Sequence, residues 1–453
     1  MSKSVFCGGL RLVAAGFCLL AITATPVLAQ DAGRMDQVVR AAADKDEFSG
    51  SVLVARDGQI LLDRGYGLAN REWSIPNDSA TRFRLGSVTK QFTAVAIMLL
   101  NERGQVDLDA PVKTYLPNAP AAWDRMTVRH LLTHTAALAD YTRLEDFEAK
   151  KTLPTTAEAL MARFRDRPLA FQPGEGWAYS NSGYVVLTAI IERVSGQTYA
   201  DFVVQNLFHP LNMGDSGYDS HDVILPRRAS GYTPSGEGVI NAAYVDMSVP
   251  QGAGGLYSTT HDLLKWEQGL FGARLLKPQS LAILTTPYRN NYALGLEVAK
   301  DGDDTIISHS GAIDGFNTYL AYDTTNRMTV VVLGNLNGAA PLKLGGELMT
   351  LARGGAVTLA DERQAAAMSA DALAAYSGVY QVAPGFALTL KVADGVLTAQ
   401  ATGQKPVALT PETTDAFFVE AIDAQITFTR NAAGGIEGLV LHQGGREMPA
   451  PRQ

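Results

Sequence analysis

The chain has 453 residues, 46% of them hydrophobic and 19% charged, with a formal net charge of −8. This composition excludes a disordered or low-complexity chain and suffices for a large core and more than one domain. The acidic balance leaves no electrostatic footprint for nucleic acid or an anionic membrane.

Residues 1–29 read as a leader rather than as fold. Lys3 and Arg11 give a positive start, "LVAAGFCLLAI" is apolar but too short to span a bilayer, and Ala29 closes a small-residue cleavage site. The only cysteines, Cys7 and Cys18, fall inside this segment, and Phe17 is too bulky for a lipoprotein cleavage position. After its removal the chain has no thiol, and so no disulfide, cysteine nucleophile or cysteine metal site. No later apolar run reaches membrane-spanning length. The expectation is an exported protein, periplasmic or secreted, with no membrane insertion once the leader is gone.

"AGRMDQVVRAAADKDE" predicts a short amphipathic helix with Met35, Val38 and Val39 on one side. "FSGSVLVARDGQILLDRGYG" predicts a hairpin turning at Asp57-Gly58. Its nearly continuous apolar runs predict a sheet covered on both faces. "RLGSVTKQFTAVAIMLLNERG" predicts a helix from Ser87 to about Arg103, stopped by Gly104. From about 105 to 270, helices mix with long polar loops, and "TVRHLLTHT" and "SGYVVLTAIIERVSG" are the clearest helical patterns. Extended segments return in "NYALGLEVAK", "NTYLAYD" and "MTVVVLGN", with a turn from Thr324 to Arg327 between the last two. "PLKLGGELMTLARGG" is helical again.

These elements predict an α/β fold for residues 30–358: one antiparallel sheet built from the first and last strands, helices covering it, and a helical subdomain inserted between. A site is expected where the sheet edge meets the insertion. The alanine-rich segment 359–374 reads as a linker or short helix. Residues 375–453 read as a small all-β module with turns at Asp394-Gly395 and Gly434-Gly435.

Ser87 and Lys90 lie one helical turn apart and point the same way. A serine hydroxyl is a poor nucleophile until a base takes its proton. Lysine can serve only if burial and the positive helix end lower its pKa from about 10.4 to near 7, a destabilisation of the charged form of roughly 4–5 kcal/mol. The apolar run "FTAVAIMLL" predicts that burial. The Ser87 N–H, in the first turn, has no intrahelical partner and is free to meet an oxyanion. The plainer alternative is a serine N-cap with a solvated lysine. Against it, a first-turn lysine opposes the helix dipole.

Tyr179-Ser180-Asn181 offers a phenol to relay a proton and an amide to dock a substrate carbonyl. Tyr288-Arg289-Asn290 fits the same pattern, but Pro173-Gly174 and Gly176 shape the first copy directly before a helix. His309-Ser310-Gly311 marks a strand edge where glycine lets a substrate lie close, with the Ala312 N–H as a second oxyanion donor. His442-Gln443-Gly444 repeats that pattern in the β module and reads as incidental. His130 and His134 share a helix face but lack the acidic residue of a metalloprotease helix, so they read as packing and hydrogen-bonding histidines. The "GAGG" from Gly252 to Gly255 reads as a close backbone approach.

In this order, on helix, loop and strand, the three motifs resemble those of the serine penicillin-recognising enzymes, above all the class C β-lactamase-like branch. That branch holds D-Ala-D-Ala carboxypeptidases, D-amino-acid-specific peptidases, family VIII esterases and class C β-lactamases. "VDLDAPVKTYLP", "MTVRHLLTHTAAL", "PGEGWAYSNSGY" and "QGAGGLYSTTHDLLKW" extend the resemblance over about residues 35–350. It implies Ser87 as acylated nucleophile, Lys90 as its base partner and Tyr179 as second proton carrier. It implies Asn181, His309, Ser310 and Gly311 as substrate contacts, the N–H groups of Ser87 and Ala312 as an oxyanion hole, and no metal or organic cofactor. The implied activity is acyl-enzyme hydrolysis of an ester or a peptide or amide carbonyl, so the resemblance implies a small-molecule or short-peptide substrate as the partner. β-Lactam hydrolysis, or binding of peptidoglycan fragments without turnover, are the alternatives. Two departures stand out. Class C β-lactamases usually carry lysine where this chain has His309, which favours the peptidase and esterase side. Ala136-Ala137 replaces a usual Ser-Gly at a helix end beside the site. The β module resembles a small barrel-like appendage of some members.

Overall fold

The computed structural model describes residues 1, 2, 4, 25–419, 424–443 and 446–453. The apolar core of the expected leader lies outside them. The principal helices of the first unit are α1 (Thr25–Ala43), α2 (Thr89–Glu102), α3 (Val128–Leu132), α4 (Asn181–Ser195), α5 (Thr260–Phe271) and α6 (Ala340–Ala352).

The sheet begins with the expected hairpin, β1 (Gly50–Arg56) and β2 (Gln59–Tyr66). Asp57 and Gly58 turn it with φ of 51° and 78°, the left-handed pair that suits a two-residue hairpin loop. The late strands are β3 (Glu297–Asp301), β4 (Asp304–Ile313), β5 (Phe316–Asp323) and β6 (Met328–Gly334). Together they make a six-stranded antiparallel sheet in the order β3-β4-β5-β6-β1-β2. The ends of this unit are thus zipped together, with Val52 opposite Val332 and Val54 opposite Val330.

Strand periodicity divides two cores. Val52, Val54, Val330 and Val332 face α1 and α6, where Met35, Val38 and Val39 are buried as expected. Leu53, Ala55, Val331 and Leu333 face the other way, onto the core built around α2, α4 and α5. The expectation of cover on both faces holds for β1 and β6, buried almost throughout, but not for β2. That strand is the sheet edge, and only Leu62 and Tyr66 of it are buried. α2 is buried on all sides from Thr89 to Met98, as its apolar run requires. α4 ends at Gly196 in the left-handed conformation, φ 70°.

The segment before the second unit runs close to it. The Ala366 N–H donates to the Pro411 carbonyl at 2.8 Å, and Arg363 pairs with Glu412 at 3.0 Å. Eight strands follow in simple sequential order, β7 (Gly378–Ala383), β8 (Phe386–Ala393), β9 (Val396–Ala401), β10 (Val407–Pro411), β11 (Ala416–Val419), β12 (Ala424–Arg430), β13 (Ile436–Gln443) and β14 (Arg446–Pro451). Tyr380 bridges to Arg452, and the Gln453 N–H donates to the Val379 carbonyl at 2.9 Å, so first and last strands meet in a nearly closed barrel. Its interior is filled by Leu390, Leu397, Leu409, Phe417 and Leu439. Among the described residues, no helix is long and apolar enough to cross a membrane.

Candidate active site

A short ladder sets the nucleophile's position. Phe83 pairs with Ser258 and Arg84 with Tyr257, and the Leu85 N–H donates to the Leu256 carbonyl at 2.8 Å. This ties the chain before Ser87 to the glycine-rich turn at 252–255. Gly86 has φ 52°, and a Cβ there would stand 2.8 Å from the Ala312 nitrogen. Only glycine lets the chain turn this tightly against β4. Gly86–Val88 then form a 3-10 turn that feeds α2, so Ser87 sits at the mouth of a buried helix.

Lys90 is fully buried. Its Nζ lies 2.9 Å from Ser87 Oγ, 2.8 Å from Asn181 Oδ1 and 2.9 Å from the Ala253 carbonyl. Desolvation pulls its pKa down to about 7, partly opposed by the charge of Asp140. A neutral amine has two N–H groups and one lone pair. The carbonyl oxygens of Asn181 and Ala253 can only accept, so they take the two N–H groups and leave the lone pair facing the Ser87 hydroxyl. Asp140 sets this up from behind: the Asn181 amide nitrogen donates to its Oδ2 at 3.2 Å, turning Asn181 Oδ1 toward the lysine. The rings of Tyr179 and Tyr184 close over the amine at 4.9 and 5.4 Å.

Tyr179 is a different kind of acid. Burial raises its phenol above the ordinary value, partly offset by hydrogen bonding with Ser87. It therefore stays protonated at neutral pH, where Lys90 is half neutral. Of the two, the lysine is the group suited to accept a proton near neutral pH and the phenol the group suited to donate one.

β4 is paired with β3 only as far as Ser308, opposite Glu297. Beyond it, His309 to Ile313 keep a free edge on that side, and a Cβ on Gly311 would come 2.1 Å from the Leu85 carbonyl oxygen. The His309 imidazole is buried, with Nδ1 2.6 Å from the Ser310 carbonyl and Nε2 3.0 Å from the Tyr292 hydroxyl. A carbonyl only accepts, so Nδ1 carries the proton and Nε2 accepts from Tyr292. Burial first, and the Lys90 charge second, lower its pKa to about 3. The edge thus carries a neutral imidazole with both nitrogens engaged.

Two cavities meet at Ser87 and Ala312. One of about 240 Å³ has apolar walls from Tyr141, Phe147 and Val249, with Asn181 on its lining. The other, of about 450 Å³, runs along Tyr179 and His309–Ala312 to Leu342 and Gln443. Ser87 stands at the divide, with open space on either side of it.

The structure therefore brings Ser87, Lys90, Tyr179, Asn181, His309, Ser310, Gly311 and Ala312 into one cleft. Tyr288 is exposed and Asn290 sits in a left-handed turn, so the second Tyr-x-Asn copy plays no part. The His442-Gln443-Gly444 pattern was expected to be incidental; of its described residues, Gln443 lines the larger cavity, where β13 ends beside α6. The Ala136-Ala137 departure falls on a buried left-handed residue, Ala137 with φ 61°, where glycine would be unstrained. His130 Nδ1 accepts the Thr127 N–H at 3.2 Å and closes a capping box on α3. Sequence reasoning missed the Ala253 carbonyl, Asp140 and Tyr292. A carbonyl has no side-chain signature, and the other two act through neighbours distant in sequence.

Fold and site together define a serine hydrolase of the β-lactamase and penicillin-binding type. The model described as Beta-lactamase matches residues 35–353, and the chain belongs to that family. A second model, Domain of unknown function (DUF3471), matches residues 362–450. A penicillin-binding protein of Bacillus subtilis (strain 168) is 27% identical over 435 residues, covering 90% of this chain and 96% of its own. Esterase EstB of Burkholderia gladioli is 32% identical over 294 residues, covering 55% of this chain and 73% of its own. The structure of an octameric penicillin-binding protein homologue from Pyrococcus abyssi superposes with a TM-score of 0.67 at 26% identity, covering 93% of this chain and 100% of that one.

Proposed function

We propose that this chain is an exported hydrolase that cleaves an ester or a peptide-type amide through an acyl-enzyme on Ser87. The observation that carries the reading is the buried Lys90 amine, with two carbonyl acceptors and its lone pair toward the Ser87 hydroxyl. Ser87 Oγ attacks the substrate carbonyl as its proton passes to Lys90 Nζ. The N–H groups of Ser87 and Ala312 meet the oxyanion, a kind of contact worth about 2.7–4 kcal/mol per donor. The Tyr179 phenol protonates the leaving group and recovers its proton from the Lys90 ammonium. Water then attacks the acyl-enzyme, giving its proton to the same pair, and Ser87 is regenerated. Proton management of this kind contributes about 10²–10⁴-fold.

Neutral His309 supports an ester or amide over a β-lactam, because it supplies no cation where class C β-lactamases usually place one. The esterase relative supports the same side. The penicillin-binding relative supports a second reading, in which a lactam acylates Ser87 and is released slowly.

Labelling with a fluorescent fluorophosphonate and a fluorescent penicillin tests the nucleophile. One adduct is expected at Ser87, lost in Ser87→Ala; an adduct that persists in that variant puts the nucleophile elsewhere. Turnover of p-nitrophenyl esters and D-Ala-D-Ala peptides above nitrocefin is expected. For export, the mature chain recovered outside the cytoplasm should begin at Gln30.

A further inference from the structure

The imidazole of His134 is buried at the back of this site and takes no part in the chemistry above. It follows α3 with φ 59°, a left-handed backbone that His, Asn and Asp tolerate better than other side chains. The Ala178 N–H donates to the His134 carbonyl at 2.9 Å. The Ser180 N–H donates to His134 Nδ1 at 3.2 Å. One residue therefore grips both neighbours of Tyr179, the first through its main chain and the second through its side chain. Its ring also backs the phenol, with centroids 4.1 Å apart, and lies 4.6 Å from Tyr292 and 5.3 Å from Tyr184.

With Nδ1 accepting, the ring proton sits on Nε2, which finds no acceptor. A phenyl ring would fill the same space without leaving a buried N–H unpartnered, so packing alone does not account for an imidazole. Burial, followed by the charges of Lys90 and His309, holds its pKa well below the ordinary value. The tyrosines around it stay protonated, so the ring adds no charge behind Lys90.

We propose that His134 is a positioning residue for Tyr179, fixing the phenol beside Ser87 by accepting the Ser180 N–H and backing the ring. The proposal rests on the Ser87–Lys90–Tyr179 reading. A misplaced phenol fails mainly as proton donor to the leaving group. Nitrophenolate departs without a proton and methoxide does not, so the two kinds of ester separate this role from a general loss of structure.

The test compares His134→Phe and His134→Asn on p-nitrophenyl butyrate and methyl butyrate. Phe keeps the ring and deletes the acceptor; Asn keeps an acceptor on its γ carbon and suits the left-handed backbone. In His134→Phe, kcat/KM, which reads the acylation step alone, should fall about 30-fold on the methyl ester and by no more than about threefold on the p-nitrophenyl ester. In His134→Asn both should stay within about fivefold of the parent. Equal losses on both esters, or no loss in His134→Phe, overturn this proposal alone. A wild-type chain that takes no fluorophosphonate at Ser87 overturns the reading beneath it and this one with it.

Discussion

In the sheet-and-helix unit Lys90, His134, Asp262, Glu267, His309 and Asp323 are all buried, whereas the described part of the barrel buries no charged, amide or imidazole side chain. The contrast shows where chemistry can be stored. The described barrel core is aliphatic and aromatic, so those residues offer shape rather than a tuned acid or base. Within the first unit, burial alone does not mark the site. Asp262 is buried yet satisfied by Ser216, Lys265 and the Asp215 N–H, and Asp323 by Asn326 and Arg353. What sets Lys90 apart is a pKa moved to about 7 beside a hydroxyl it can deprotonate.

The largest expected effect breaks that distinction directly. Lys90→Met keeps much of the side chain's volume and removes the amine, and should lower kcat/KM by about 10³-fold. In the parent chain the base must be neutral, so kcat/KM should rise with pH through about 7. Below that point it should fall by roughly tenfold per pH unit. Initial rates from pH 5 to 9 check the limb, and a rate that stays flat down to pH 5 rules the lysine out as base. Asp140 opposes the shift, so Asp140→Asn should move the limb to lower pH.

Glu267 sharpens the comparison from the other side, as a buried ionisable group with no chemistry beside it. It lies on α5, which packs on β1 and β6; its Oε2 has no hydrogen-bond partner, and burial raises its pKa from 4.5 to about 8. The folded chain keeps this proton across that window while the unfolded chain releases it. The stability this carboxyl contributes is therefore greatest below about pH 4.5, falls as pH rises, and is lost above about pH 8. At about 1.4 kcal/mol per pKa unit the span is on the order of several kcal/mol. Glu267→Gln should remove this slope while leaving kcat unchanged. Denaturant curves at pH 5 and pH 9 measure it, and equal slopes in both chains would mean the carboxyl is not held neutral.

Glu267 also shows where sequence reasoning stops. In "LLKWEQGL" a glutamate reads as the polar face of an amphipathic helix, and nothing local says that the face is covered by the sheet. The Ser87 helix, the hairpin at Asp57-Gly58 and a single antiparallel sheet joining the first and last strands were legible because burial and turn chemistry write themselves into periodicity; the order of its six strands was not. The cleft's motifs were legible because each uses a side chain that must be of one type. The Ala253 carbonyl that takes a lysine N–H was not, since any residue could supply it. His134 was read as a hydrogen-bonding histidine, but its partner at Ser180 lies 46 positions away and only the fold brings them together.

The smallest expected effect concerns an approach of the barrel to the chemistry described here. Gln443, at the end of β13, lines the 450 Å³ half of the cleft together with Ser87 and His309. Gln443 itself can influence the reaction there by filling space or by offering an amide. Gln443→Trp narrows that half, so kcat/KM for a substrate bulky on that side should fall by about fivefold, while p-nitrophenyl acetate, too small to reach the wall, should be unaffected. The loss should appear in KM rather than kcat, because a wall excludes substrate without touching the proton path. If acetate and the bulky substrate lose rate together, the substitution is acting on Ser87 through the fold, and the barrel is more than a wall.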